Sequence, residues 1–138
     1  MHWAAKYIGI PYRPAARGPE EVDCWGLVHL AYRNEFGIDL PLYPGISLEK
    51  PVECSDVIAR GLAEDWMEVA CPFDGALVAM GQRKEIHHIG LYASPIMGEG
   101  RILHCWHSQS SVADTIRGLR LRGMRQIHFY QYRLWPTS

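Results

Sequence analysis

The residues best suited to chemistry in this chain are Cys24, His88 and His104. A thiol attacks only as its thiolate, an imidazole can take the proton near neutrality, and a further polar group can orient that imidazole. Cys24 lies in the segment Asp23-Cys24-Trp25-Gly26-Leu27. Asp23 is a good N-cap, so a helix is expected to start at Cys24, where unpaired N–H groups and the helix dipole favour an anion. Cys54, Cys71 and Cys105 have no comparable setting, so Cys24 is expected to be the most reactive of the four thiols. A cysteine at a helix start is also an ordinary small core residue, and the histidines must carry part of the case.

Both histidines fall in short apolar runs, 86–93 and 101–107, separated by a turn-like stretch with Pro95, Gly98 and Gly100. A hairpin centred near residue 96 sets His88 directly opposite His104, with Cβ atoms roughly 5 Å apart. Gly90 shares that face and is expected to leave room for a substrate or a sulfur. His87 and Cys105 pair on the other face with Ile89, Leu91 and Leu103, which reads as the core side and makes His87 structural. A two-residue shift of register keeps the histidines facing one another, whereas a one-residue slip separates them. His107 points to the opposite face, and Gln109 is a weaker candidate for the orienting role. Zinc is the competing reading, since His87, His104, Cys105 and His107 are legitimate ligands. Cys105-x-His107 is not a usual ligand spacing, however, and adjacent strand residues such as His104 and Cys105 point to opposite faces, so no metal is expected.

The elements that must position these groups follow from periodicity. Leu27, Val28, Ala31 and Tyr32 recur at helical spacing up to Gly37, a C-cap candidate, which predicts a helix over 24–36. A second helix is expected near 56–63 with Ser55 or Asp56 as its cap, then strands near 76–80, 86–93, 101–107 and 127–134. Helices first and antiparallel strands after them make an α+β domain. The chain has 138 residues, enough for one core, and reads as a single domain over 1–138.

Hydrophobic residues at 48% and charged residues at 21% match an ordinary globular protein, and the net charge of −1 gives no global attraction to nucleic acid. Charge is unevenly placed, because residues 101–138 hold six arginines and one acid, Asp114. Arg117, Arg120, Arg122 and Arg125 fit either a solvated surface or a face toward an anionic partner. No apolar run reaches the roughly 18 residues of a membrane span. Met1-His2-Trp3-Ala4 does not open a secretory signal, so reduced thiols in a cytoplasmic setting are expected.

In order along the chain, these segments resemble the NlpC family of papain-like cell-wall peptidases, most closely its phage-tail-associated branch. The family's Asp-Cys-x-Gly-Leu helix start corresponds to residues 23–27, its His-apolar-Gly strand to His88-Ile89-Gly90-Leu91-Tyr92, and its third polar residue to His104 in Ile102-Leu103-His104. Gly9-Ile10-Pro11-Tyr12 matches upstream, and Asp74-Gly75-Ala76-Leu77 resembles the family's Gly-Asp pair reversed. Trp25 stands where cell-wall members carry Ser or another small residue, and is similar to the tail branch. Ala15-Ala16 replaces a Gly-Gly, and Pro14 an aromatic residue.

The resemblance implies a papain-like fold, N-terminal helices packed on an antiparallel sheet, and a cysteine endopeptidase with Cys24 as nucleophile, His88 as base and His104 orienting it. It further implies that Tyr12, Asp23 and Trp25 contact substrate, that the Cys24 N–H serves the oxyanion, and that no cofactor is needed. The implied reaction is hydrolysis of an amide in the peptide stem of peptidoglycan, commonly between D-glutamate and diaminopimelate, with phage tail proteins as further partners. A peptidoglycan amidase and a tail-assembly protein that uses the fold structurally are the alternatives. The implied location is the cytoplasm at synthesis and then a virion tail.

Overall fold

Asp23 caps the first long helix, its carboxylate accepting from the Gly26 N–H at 2.6 Å. That helix, α1, spans Cys24–Ala31, and all eight of its residues are buried. An amphipathic helix would keep a polar face; this one, reading Cys-Trp-Gly-Leu-Val-His-Leu-Ala, is apolar nearly all round and lies inside the molecule. A π-helical turn over Tyr32–Phe36 continues it. Gly37 ends the run at φ 65°, a left-handed conformation that glycine adopts without steric penalty.

The structure, a computed structural model, describes residues 2–43, 46, 51–95, 98–106 and 109–135. Helix α2 spans Pro51–Asp65. It begins earlier than expected, with proline at its first position, where the missing N–H costs nothing; Ser55 and Asp56 therefore lie inside it rather than at its cap. The strands are β1 (Trp66–Val69), β2 (Leu77–Gly81), β3 (His88–Ala93), β4 (Arg101–Cys105) and β5 (Ser111–Asp114); then come helix α3 (Ile116–Leu121) and β6 (Gln126–Tyr132). They form one sheet in the order β1-β6-β2-β3-β4-β5, antiparallel throughout. This is the expected α+β arrangement, with β1, β5 and α3 added to the elements read from sequence.

Alternation divides the sheet's side chains between two cores. Leu77, Ile89, Leu91, Leu103 and Cys105 pack with α1 in the larger one. Val78, Met80 and Ile102 pack under Leu119 and Met124 in the smaller. Burying a side chain such as Leu27 or Val28, both 0% exposed, stabilises the fold by roughly 1.5–3 kcal/mol each. An aromatic cluster joins the chain's beginning and end to the helices: Trp3 lies 5.5 Å from Phe36 and Phe36 lies 5.0 Å from Trp135, centroid to centroid. It continues through Tyr32 to Trp66 and on to Trp25.

Candidate active site

Cys24 is where the helix start predicts, but its surroundings differ from the expectation. The segment before it folds back over the first turn, where the Asp23 N–H donates to the Ala16 carbonyl. A Cβ on Gly26 would come within 2.0 Å of that carbonyl oxygen, so only glycine allows this approach. Cys24 is 2% exposed, and burial, with the Asp23 charge second, pushes its thiol far above the ordinary range. The backbone N–H groups of Ile89 and Trp25 act in the opposite direction, yet desolvation outweighs them. Burial favours the neutral thiol, and Cys71, not Cys24, is the exposed cysteine. Burial thus opposes the helix-start effect that led to Cys24 being expected as the most reactive of the four thiols.

The Ile89 N–H beside the sulfur belongs to the residue next to His88. His88 and His104 are 0% and 1% exposed, and their rings meet at 2.9 Å, His88 Nε2 to His104 Nδ1. The register differs from the one expected: Gly90 lies opposite His104, a shift of two residues that keeps both histidines on one face. His88 is the diagonal neighbour, and the length of the two rings closes the gap. Gly90 does not open a substrate space, since a Cβ there would meet the Leu103 carbonyl oxygen at 2.7 Å and His104 Cβ at 3.0 Å. Its role is to let β4 come close.

Beyond His104 the chain of contacts continues into β5. His104 Nε2 lies 2.8 Å from Asp114 Oδ2, and Arg122 Nη1 donates to that oxygen at 3.3 Å. Burial holds both imidazoles toward the neutral form, His88 well below the usual histidine range. For His104 the Asp114 carboxylate opposes burial while the Arg122 charge reinforces it. At the other end His88 Nδ1 is buried without a hydrogen-bond partner among the described residues. An unpaired buried nitrogen costs stability and calls for an explanation, a catalytic role being one. Trp106 covers the His88 ring at 4.6 Å between centroids. It also lines a cleft of about 300 Å³ with His104, Gln109, Leu119, Arg122 and Met124.

The residues expected to contact substrate fare differently. Trp25 is 0% exposed; its indole donates to the Pro41 carbonyl at 2.9 Å and stacks near Tyr43 and Trp66. That side chain belongs to the core, so the expectation of a substrate contact is corrected. Asp23 is 3% exposed, its carboxylate committed to Gly26, Ala15 and Arg17. Here it is a cap and an anchor for the preceding loop. Tyr12 is half-buried, its N–H donating to the Gln109 carbonyl at 3.0 Å.

His87 lies just outside β3 and accepts from the Gln82 N–H through its ring, while the Cys105 sulfur sits among the carbonyls of Ile10, Val22 and Gln109. His107 lies outside the described residues. Among the described residues no three His, Cys, Asp or Glu side chains are grouped to hold a metal ion. Of the arginines singled out by charge, Arg122 faces Asp114, and Arg125 lines a groove of about 570 Å³ with Arg83 and Lys84. Asp114 and Arg122 as partners of the histidines were missed by sequence reasoning.

A buried thiol at a helix start, with paired imidazoles on adjacent strands of the antiparallel sheet that the helix packs against, is the arrangement of the papain-like class of fold. The profile of the NlpC/P60 family matches residues 9–131, and the chain belongs to that family. The crystal structure of the NlpC/p60 domain of the peptidoglycan hydrolase SagA is similar, with a TM-score of 0.57 and 19% identity over 91% of each chain, a likeness of fold. No curated protein matches the chain.

Proposed function

We propose that this protein is a cysteine peptidase that hydrolyses an amide bond in the peptide stem of peptidoglycan. One observation carries the reading: the single unpartnered nitrogen of the histidine chain, His88 Nδ1, is a buried base whose ring begins one residue from the N–H against Cys24. Family membership and the fold shared with the NlpC/p60 domain of a peptidoglycan hydrolase support the substrate class.

In the forward step the Cys24 thiol passes its proton to His88 Nδ1 as sulfur bonds to the stem's carbonyl carbon. The first-turn N–H groups, that of Cys24 foremost, receive the oxyanion. His88 returns the proton to the amine as the C–N bond breaks. Water then attacks the thioester, His88 takes its proton, and the thiol is restored. A neutral resting pair suits this sequence, because the thiolate forms only when the acyl carbon is in place to receive it. Catalytic contacts are often loose before substrate binds.

Digestion of purified sacculi with mass analysis of the released fragments tests the proposal and identifies the bond. The wild type should release free stem fragments, and Cys24→Ala and His88→Ala should release none. Fragments cut between sugar and peptide would instead make the protein an amidase, and undiminished release by Cys24→Ala would end the cysteine mechanism. The place of action we assign is a phage or prophage tail, on the likeness of Asp23-Cys24-Trp25 to the tail-associated branch. A tail-assembly role would survive loss of the sulfur, whereas wall penetration would not.

A further inference from the structure

The geometry points to Asp114 as a positioning residue, braced by Arg122, that fixes which nitrogen of each histidine carries the proton. The inference rests on the reading of His88 as base and extends it two strands outward. A carboxylate only accepts, so the 2.8 Å contact makes His104 Nε2 the donor. Neutral His104 then carries no hydrogen on Nδ1, which must accept from His88 Nε2 across 2.9 Å. His88 Nδ1 is thereby left bare, the form a general base requires. One carboxylate sets the tautomer of two rings in series.

The architecture repeats a single diagonal step. His104 lies opposite Gly90 in β3, two residues from His88, and opposite Val112 in β5, two residues from Asp114. His88, His104 and Asp114 thus share one face on three adjacent strands. Asp114 is only 19% exposed, and Arg122 is 63% exposed, so the guanidinium bond is screened by solvent and worth little as stability. Its use is directional: α3 begins right after β5, capped by Thr115, and its C-cap residue Arg122 returns to Asp114. Besides Asp114, the titratable groups facing the rings are His87 near His88 and Arg122 near His104.

Asn keeps the shape of Asp114 but can donate to His104 Nε2, which permits the opposite tautomer. Where an Asp directly orients a catalytic His this change costs about 10⁴ in kcat; one ring further out, a loss of roughly 10² is expected, with KM little changed. In the full-length protein with ¹⁵N-labelled histidine at about pH 7.5, NMR should find His88 and His104 both as Nε2–H tautomers, and mixed in Asp114→Asn. Asp114→Glu should restore much of the activity, and Asp114→Asn should add nothing in a His104→Ala background. Unchanged tautomers and kcat in Asp114→Asn, or additive loss in the double variant, would overturn the proposal. Should Asp114→Asn not fold, the wild-type spectrum alone decides, since a proton on His88 Nδ1 contradicts it. These spectra need no substrate, so failure to cleave sacculi would count against the proposed function and leave the positioning role to be judged separately.

Discussion

Burial sets the charge state of the histidines His29, His88 and His104, each pushed below the ordinary range. Below about pH 6.5 the unfolded chain binds protons that the folded one refuses, so stability is full above that value and falls as pH drops. The slope reaches roughly 1.4 kcal/mol per pH unit for each such histidine. Urea midpoints at about pH 7.5 and pH 5.5 should differ less for His88→Gln than for the wild type; an equal difference would show His88 to be free to protonate when folded. The thiols give a second prediction. Limiting iodoacetamide should modify exposed Cys71 before buried Cys24, which peptide mapping by mass spectrometry can read. The helix start at Cys24 and the shared face of His88 and His104 were legible, because a capped helix start and period-2 runs need only local pattern. Asp114 was not, since it lies on β5, a strand that the pattern did not disclose.

At the scale of elements, close approach does what side-chain complementarity does elsewhere. Gly26 holds the preceding loop against α1, and Gly90 holds β4 against β3. A methyl group at position 26 would drive into backbone, not a flexible side chain, so Gly26→Ala should cost about 3 kcal/mol or more in urea denaturation. Gly90→Ala should move His104 as well, lowering kcat by more than its loss of stability accounts for. A Gly90→Ala enzyme with full kcat would mean that the His88–His104 contact tolerates a displaced β4. Sequence periodicity found α1 and the four inner strands, whose burial imposes a continuous pattern. It missed β1 and β5, edge strands of four residues each, too short to show alternation. The loop of the β3–β4 hairpin also hid its register, because nothing in Pro95, Gly98 and Gly100 chooses between centres near 96 and 97.

For the whole molecule, the aromatic cluster fastens both ends of the chain to the helices that carry the site. Trp135 contacts Tyr32, Phe36 and Phe73 yet comes after the last strand. Trp135→Ala should lower stability by about 2–3 kcal/mol, at the low end for a large aromatic because the ring is half-buried. Urea unfolding measures this, and a change below about 0.5 kcal/mol would mean that the C-terminal segment merely rests on the surface. Length had led to the expectation of one domain, and an uneven charge distribution had marked the C-terminal third. Neither could show that this third supplies Asp114 and Arg122 to the histidines while closing the smaller core, because that depends on which strands become neighbours.

The edge-on packing of Trp106 against His88 gives the active site its own light. An indole loses fluorescence to a protonated imidazole in contact with it but not to a neutral one. If His88 serves as the base proposed above, the emission of Trp106 should report, in real time, the instant at which the His88 ring is protonated. The other four of the chain's five tryptophans supply a steady background that Trp106→Phe would isolate. Under the proposed mechanism, stopped-flow mixing with soluble stem peptide would then show acylation as a dip in emission and deacylation as its recovery, with no dye attached.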